Sequence, residues 1–135
     1  MADVEKQLPI MTSVERDFWE GAKQHKLMSY KCLSCGTYYY PATHCVLCDN
    51  PKMEWVEVSG KGHVYTFVVY HRAYHPAWKG DVPYNVSWVK LDEGPLLVSN
   101  VVECKNEDLS IGMPVEAVFE DVTEEISLPK FRPVR

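Results

Sequence analysis

The chain has 135 residues, 46% of them apolar and 24% charged, a globular composition that excludes disordered, collagen-like and membrane-spanning classes. Its length leaves room for one modest core and a small appended module. Fourteen Lys and Arg against nineteen Asp and Glu give a formal charge of −5, and neither residues 1–60 nor residues 61–135 are net basic. That balance counts against a nucleic-acid duplex as partner, because such affinity rests on neutralising phosphates.

Residues 1–11 read as a loose arm, too charged and interrupted for a signal peptide. Thr12-Ser13-Val14-Glu15 offers a capping-box start, and Val14, Phe18 and Ala22 recur at helical spacing beside Trp19. Together they predict a helix over 13–25, with Gly21 costing it some propensity. Residues 27–50 are short, aromatic and punctuated by cysteines, with strands expected only at 27–31 and 38–40. From Trp55 onward the pattern turns to β. Strands are predicted at 64–70, 84–91, 96–102, 115–119 and 126–131, with a turn at Asp92-Glu93-Gly94 and a polar, aromatic loop at 71–83. Five strands after a helix and a cysteine knuckle imply a small closed or partly open barrel.

Four of the five cysteines fall within seventeen residues, as Cys32-x2-Cys35-x9-Cys45-x2-Cys48. No apolar run approaches the roughly 20 residues of a membrane helix, so the expected location is the cytoplasm. In that reducing setting paired CxxC motifs favour a metal over disulfides. Each pair forms a tight turn placing two thiolates on one ion, and Gly36 helps the first turn back. Two disulfides or four free thiols are the bland alternative; His44 is an alternative ligand and iron an alternative metal. Four thiolates close the coordination shell, so a zinc held by Cys32, Cys35, Cys45 and Cys48 is a staple and not a catalyst. Cys104 stands alone between Glu103 and Lys105 with no histidine paired to it in sequence, a packing residue before a nucleophile.

The order Phe18-Trp19, Cys32-x2-Cys35-Gly36, Pro41, Cys45-x2-Cys48 resembles the zinc ribbon of a two-part family. The second part is carried by Gly62-x-Val64-Tyr65-Thr66, Pro83-Tyr84, Leu91-Asp92-Glu93-Gly94, Ile111-Gly112-Met113-Pro114-Val115 and Leu128-Pro129-x-Phe131-x-Pro133. The whole is similar to the acyl-CoA-associated zinc-ribbon/OB-fold proteins from about residue 14 to 133. The resemblance implies a mainly β fold: an N-terminal arm and helix (1–26), a rubredoxin-like zinc ribbon (27–53) and a five-stranded OB-fold barrel (54–135). It also implies an accessory subunit of acyl-CoA enzymes, commonly thiolase-like and sometimes hydratases. Such a subunit forms a hetero-oligomer, docks on its partner and helps form the coenzyme A channel. The departures are Val46-Leu47 in the second knuckle, where a proline commonly follows the first cysteine, and an unusually aromatic loop at 71–83.

The residues themselves agree with a partner-dependent protein. Aromatic side chains are frequent interface anchors, and Phe18 and Trp19 are candidates for docking, against packing between ribbon and barrel. The loop carries His71, Arg72, Tyr74, His75, Trp78 and Lys79, a candidate coenzyme A, substrate or partner surface at a barrel mouth. An anionic coenzyme A thioester needs cations, for which Arg72, Lys79, Lys130 and Arg132 are the candidates; each alone is an ordinary solvated charge. The alternative is a single-stranded nucleic-acid-binding protein, since such barrels stack bases on aromatics above a positive groove. The aromatics are present and the groove is not. An autonomous hydrolase or thiolase lacks its parts, with no nucleophile beside a base, no phosphate loop and no HExxH motif.

Overall fold

The computed structural model describes residues 8, 13, 15–39, 45–48 and 52–134. Helix α1 (Arg16–Lys23) is shorter than the sequence predicts: Glu15 is its N-cap and makes no side-chain cap hydrogen bond. Thr12 and Val14, on which the capping box and part of the apolar stripe rested, lie outside the described residues. The other stripe members behave as expected. Phe18 and Ala22 are buried, with Trp19 beside them.

Two antiparallel sheets follow. The ribbon sheet has the order β2 (Tyr38–Tyr39), β1 (Met28–Cys32), β3 (Met53–Glu57). The β pattern beginning near Trp55 therefore opens inside the ribbon, where Trp55 faces Tyr30 and Cys32 faces Met53. The second sheet has the order β6 (Leu96–Ser99), β5 (Tyr84–Leu91), β4 (Lys61–Tyr70), β7 (Pro114–Asp121), β8 (Ser127–Pro133).

Curling this sheet takes two devices. The β4–β5 register shifts between Val64 and Thr66, a bulge that raises the local twist. Gly62 pairs with Leu91 on one side and Val115 on the other. A Cβ there would stand 2.3 Å from the Lys90 carbonyl oxygen, a backbone atom that cannot swing away. The curl ends when the chain beyond β6 meets β8. Val101 bridges Phe131 in parallel, Val102 N donates to Phe131 O at 2.7 Å, and Phe131 N donates to Asn100 O at 3.0 Å.

Val64, Val89, Leu91, Leu97, Val115 and Phe131 fill the interior, and the same cluster continues through Phe18, Trp19, Ala22 and Leu27. Helix α1 thus packs on the ribbon and the barrel at once. Phe18 meets Trp19 edge-on at 4.9 Å and Trp55 at 6.5 Å. A second tie follows the helix: the His25 ring stacks on Phe119 at 5.2 Å, and its Nε2 lies 2.9 Å from Asp121 Oδ1.

One strand inverts the usual pattern of apolar inside and polar outside. In the first half of β5, Asn85 and Ser87 are buried while Trp88 is exposed and Tyr84 and Val86 are partly so. Asn85 makes this tolerable by pairing both polar atoms of its side chain. Its Oδ1 accepts from Val101 N (2.9 Å) and Ser87 Oγ (2.8 Å); its Nδ2 donates to Val101 O (2.9 Å) and Asn106 Oδ1 (3.2 Å). Asn100 Nδ2 donates to Asn85 O.

Asn85→Leu keeps the volume but leaves the Val101 amide and carbonyl unpaired at the closing seam. It is expected to cost about 3 kcal/mol, read as a fall of about 10 °C in Tm; an unchanged Tm contradicts the assigned role. The Asp121 carboxyl is held below its usual range, first by the Ser127 hydroxyl and then by His25. A depressed carboxylate contributes stability above its unfolded pKa, near pH 4, and loses it as pH falls through the lower folded value. The Tm advantage of wild type over Asp121→Asn is therefore expected above about pH 4 and should vanish on further acidification.

Candidate metal centre and barrel face

The ribbon brings the four cysteines together from two turns and a strand. Cys32 ends β1, and Gly36, at φ +81°, reverses the chain so that its amide donates to Cys32 O at 2.7 Å. All four sulfurs lie within 4.8 Å of one another. Cys32 to Cys48 is 3.9 Å and Cys35 to Cys45 is 3.6 Å, on either side of the roughly 3.8 Å edge of a tetrahedron with Zn–S arms of about 2.3 Å. A disulfide needs about 2.05 Å, and all five cysteines are free thiols. The donor set fits a tetrahedral zinc. His44 lies outside the described residues.

The electrostatics explain why a cation belongs there. The Thr37 hydroxyl, 3.1 Å away, and the Thr37 amide hold the Cys35 thiol down at about 6, and the Tyr39 hydroxyl lowers Cys45. Cys48, hydrogen-bonded to Cys35 and crowded by the other sulfurs, is pushed up to about 12. Thiolates this close repel one another; a divalent ion held by the four sulfurs would remove the conflict and join binding to folding. With four sulfurs as ligands no position is left for water or substrate, so the zinc fixes structure and polarises nothing.

Expected site residues elsewhere separate into three places. Phe18 and Trp19, candidates for docking, are 2% and 8% exposed, so this conformation presents neither to a partner. They bind helix to barrel, because an apolar pair at the ribbon–barrel seam stabilises most when removed from water. The loop forms an aromatic ladder: Trp78 on Tyr84 (5.2 Å), Tyr84 on Tyr70 (5.4 Å), Tyr70 on Tyr74 (6.1 Å), with the Arg72 guanidinium 5.4 Å over Tyr74. His75 caps a 3-10 turn, its Nδ1 accepting from Ala77 N at 3.1 Å, and Lys79 is exposed just beyond that turn. Trp78 and Lys130 line one groove of about 1000 Å³ with Asn85, Asn100 and Cys104. Lys130 is tied to Asn100 Oδ1 and lies 4.0 Å from Glu120. Arg132 is outside that groove, with Nε 3.0 Å from Glu116 and a terminal nitrogen 3.7 Å from Glu103. These carboxylates, Glu116 foremost, raise its pKa.

Sequence reasoning missed the face opposite the buried polar strand. Trp88 sits directly across from Thr66 on β4 and Val98 on β6, and Val68 faces Val86. Cross-strand partners share a face, so these side chains form one outward surface. Val68, Trp88 and Val98 are 54%, 44% and 46% exposed. The signal was in Tyr84-Asn85-Val86-Ser87-Trp88, whose alternation points its apolar members away from a core that Val89 and Leu91 enter.

Ser127, Asp121 and His25 are adjacent, but both Ser127 Oγ and His25 Nε2 bond the same carboxylate oxygen, which stands between them. Removing zinc with a chelator should expose the ribbon amides of Tyr30, Tyr39 and Val56 to hydrogen exchange while Val64, Val89 and Val115 stay protected. Equal protection with and without metal would contradict a stapling role.

Two family matches cover the two parts of the chain and meet inside strand β3. Residues 19–54 match the ChsH2 rubredoxin-like zinc ribbon domain and residues 55–120 the ChsH2 C-terminal OB-fold domain. A "DUF35 domain-containing scaffold protein" of Methanocaldococcus jannaschii is 38% identical over 79% of this chain and 77% of its own length. A "Probable enoyl-CoA hydratase alpha subunit" of Thermomonospora curvata is 38% identical over 95% of this chain, which spans 41% of that relative's length. A solved structure described as "Ltp2-ChsH2(DUF35) aldolase" superposes with a TM-score of 0.83 at 35% identity, covering 93% of this chain and 98% of that one. The chain belongs to the DUF35 family, with a ChsH2-type zinc ribbon followed by a ChsH2-type OB-fold domain.

Proposed function

We propose that this chain is a non-catalytic scaffold subunit that docks on a thiolase-like acyl-CoA enzyme and supplies part of its coenzyme A and substrate channel. The partner then provides the nucleophile and bases, and the benzoylsuccinyl-CoA thiolase of anaerobic toluene degradation is the candidate complex. The observation that carries the reading is the exposed apolar face of Val68, Trp88 and Val98, held outward by register. A contiguous apolar face of this kind marks an interaction surface, and tryptophan is the residue type most often found at interface centres. The closed shell of a zinc held by four cysteines supports a metal that has no chemistry of its own. The name of the enoyl-CoA hydratase alpha subunit supports an acyl-CoA enzyme as partner, and that of the Ltp2-ChsH2 aldolase supports an enzyme partner.

In the channel reading, Trp78 and Lys130 form the wall facing the thioester, and Arg72, Tyr74, His75 and Lys79 frame its entrance. A single-stranded nucleic acid fits this surface poorly, since Lys130 and Arg132 already lie against carboxylates. Trp88→Glu places a charge at the centre of the docking face. It is expected to weaken the complex by at least about 30-fold, the loss of one strong anchor of about 2 kcal/mol, while zinc content and the Tm of the free chain hold. Unchanged affinity in a titration calorimeter would remove this face from the interface.

A further inference from the structure

The zinc site has an outer partner that the four-cysteine pattern does not contain. The Tyr39 hydroxyl oxygen lies 3.2 Å from Cys45 Sγ and 3.3 Å from the Val46 amide nitrogen. An amide N–H can only donate, so the hydroxyl oxygen accepts from Val46. A cysteine bound to a metal is a thiolate with no proton to give. The hydroxyl proton must then point along the remaining line, toward Cys45 Sγ. The same sulfur takes a second hydrogen bond from Leu47 N at 3.4 Å. Cys35 receives one from the Thr37 hydroxyl.

The backbone fixes the phenol in this position. Tyr39 ends the two-residue strand β2, is paired with Tyr30 on β1, and has its carbonyl held by Ser29 Oγ at 2.7 Å. One side chain on the first half of the ribbon thereby grips both the sulfur and the backbone of the second knuckle, five residues further along the sequence. Hydrogen bonds to a ligating sulfur draw charge from it and fix its orientation, and such outer-shell groups are typically worth 10–100-fold in metal affinity.

We infer that Tyr39 is an outer-sphere positioning residue of the metal centre, donating its phenolic proton to the Cys45 thiolate and locking the second knuckle against metal loss. This rests on the ribbon alone and is independent of any partner. The test is Tyr39→Phe in the full chain, with Tyr30→Phe as the control, since Tyr30 shares the sheet and its ring packs on Trp55. Zinc transfer to a coloured chelator is expected to quicken about 10-fold or more in Tyr39→Phe and to hold in the control.

The cobalt-substituted protein supplies a readout that general loosening would not move. Losing a hydrogen bond raises the energy of the sulfur electrons, so the sulfur-to-cobalt charge-transfer band should shift to longer wavelength in Tyr39→Phe. Wild-type band position and wild-type transfer rate would overturn the inference. Should the variant not fold, the native chain loaded with ¹¹³Cd decides. A slowly exchanging Tyr39 hydroxyl proton coupled to the cadmium supports it, and a hydroxyl proton without that coupling overturns it.

Discussion

Asn85 is the constraint on which the barrel turns. A buried amide costs several kcal/mol unless its bonds are made, and this one makes four, two of them to the backbone of Val101. Val101 is the residue that bridges Phe131 and closes the sheet. The same orientation carries Asn85 and Ser87 inward and Val86 and Trp88 outward, because neighbours on a strand point oppositely. Seam, groove floor and exposed face therefore follow from one side chain.

The ribbon obeys a different rule. It is too short a segment to build a sufficient core of its own, and four thiolates in one place repel until a cation joins them. Zinc answers both problems, and helix α1 carries that rigidity to the barrel through Phe18 and Trp19. The acidic balance of the chain takes on a narrower meaning beside this. Lys130 and Arg132, the cations closest to the barrel's closing strand, are already engaged by neighbours, so contact with an anionic ligand has to be local or shared with a partner.

Much of this was legible in the sequence, for physical reasons. The CxxC pairs have a spacing that only a few chemistries use, and β5 was bounded correctly by Pro83 before it and Asp92-Glu93-Gly94 after it. Strand β3 (Met53–Glu57) straddles the expected ribbon–barrel boundary between 53 and 54, because nothing local tells a strand which sheet it will join. Helix α1 begins later than its hydroxyl-rich approach suggested. Phe18 and Trp19 looked like docking residues because an aromatic pair reads alike whether it faces a partner or another part of its own chain. The exposed face went unseen because β5 buries its polar members, and alternation alone does not say which side is the core. Tyr39 was one of three consecutive tyrosines, distinguishable only once the knuckle folds back on it.

The central claim is that this chain holds its fold with zinc and lends surface, not chemistry, to an acyl-CoA enzyme. Native mass spectrometry of the chain purified from its own source tests that most directly. The expected species is a hetero-oligomer in which each copy carries one zinc and is bound to a thiolase-like subunit. A stable, partner-free monomer would contradict it.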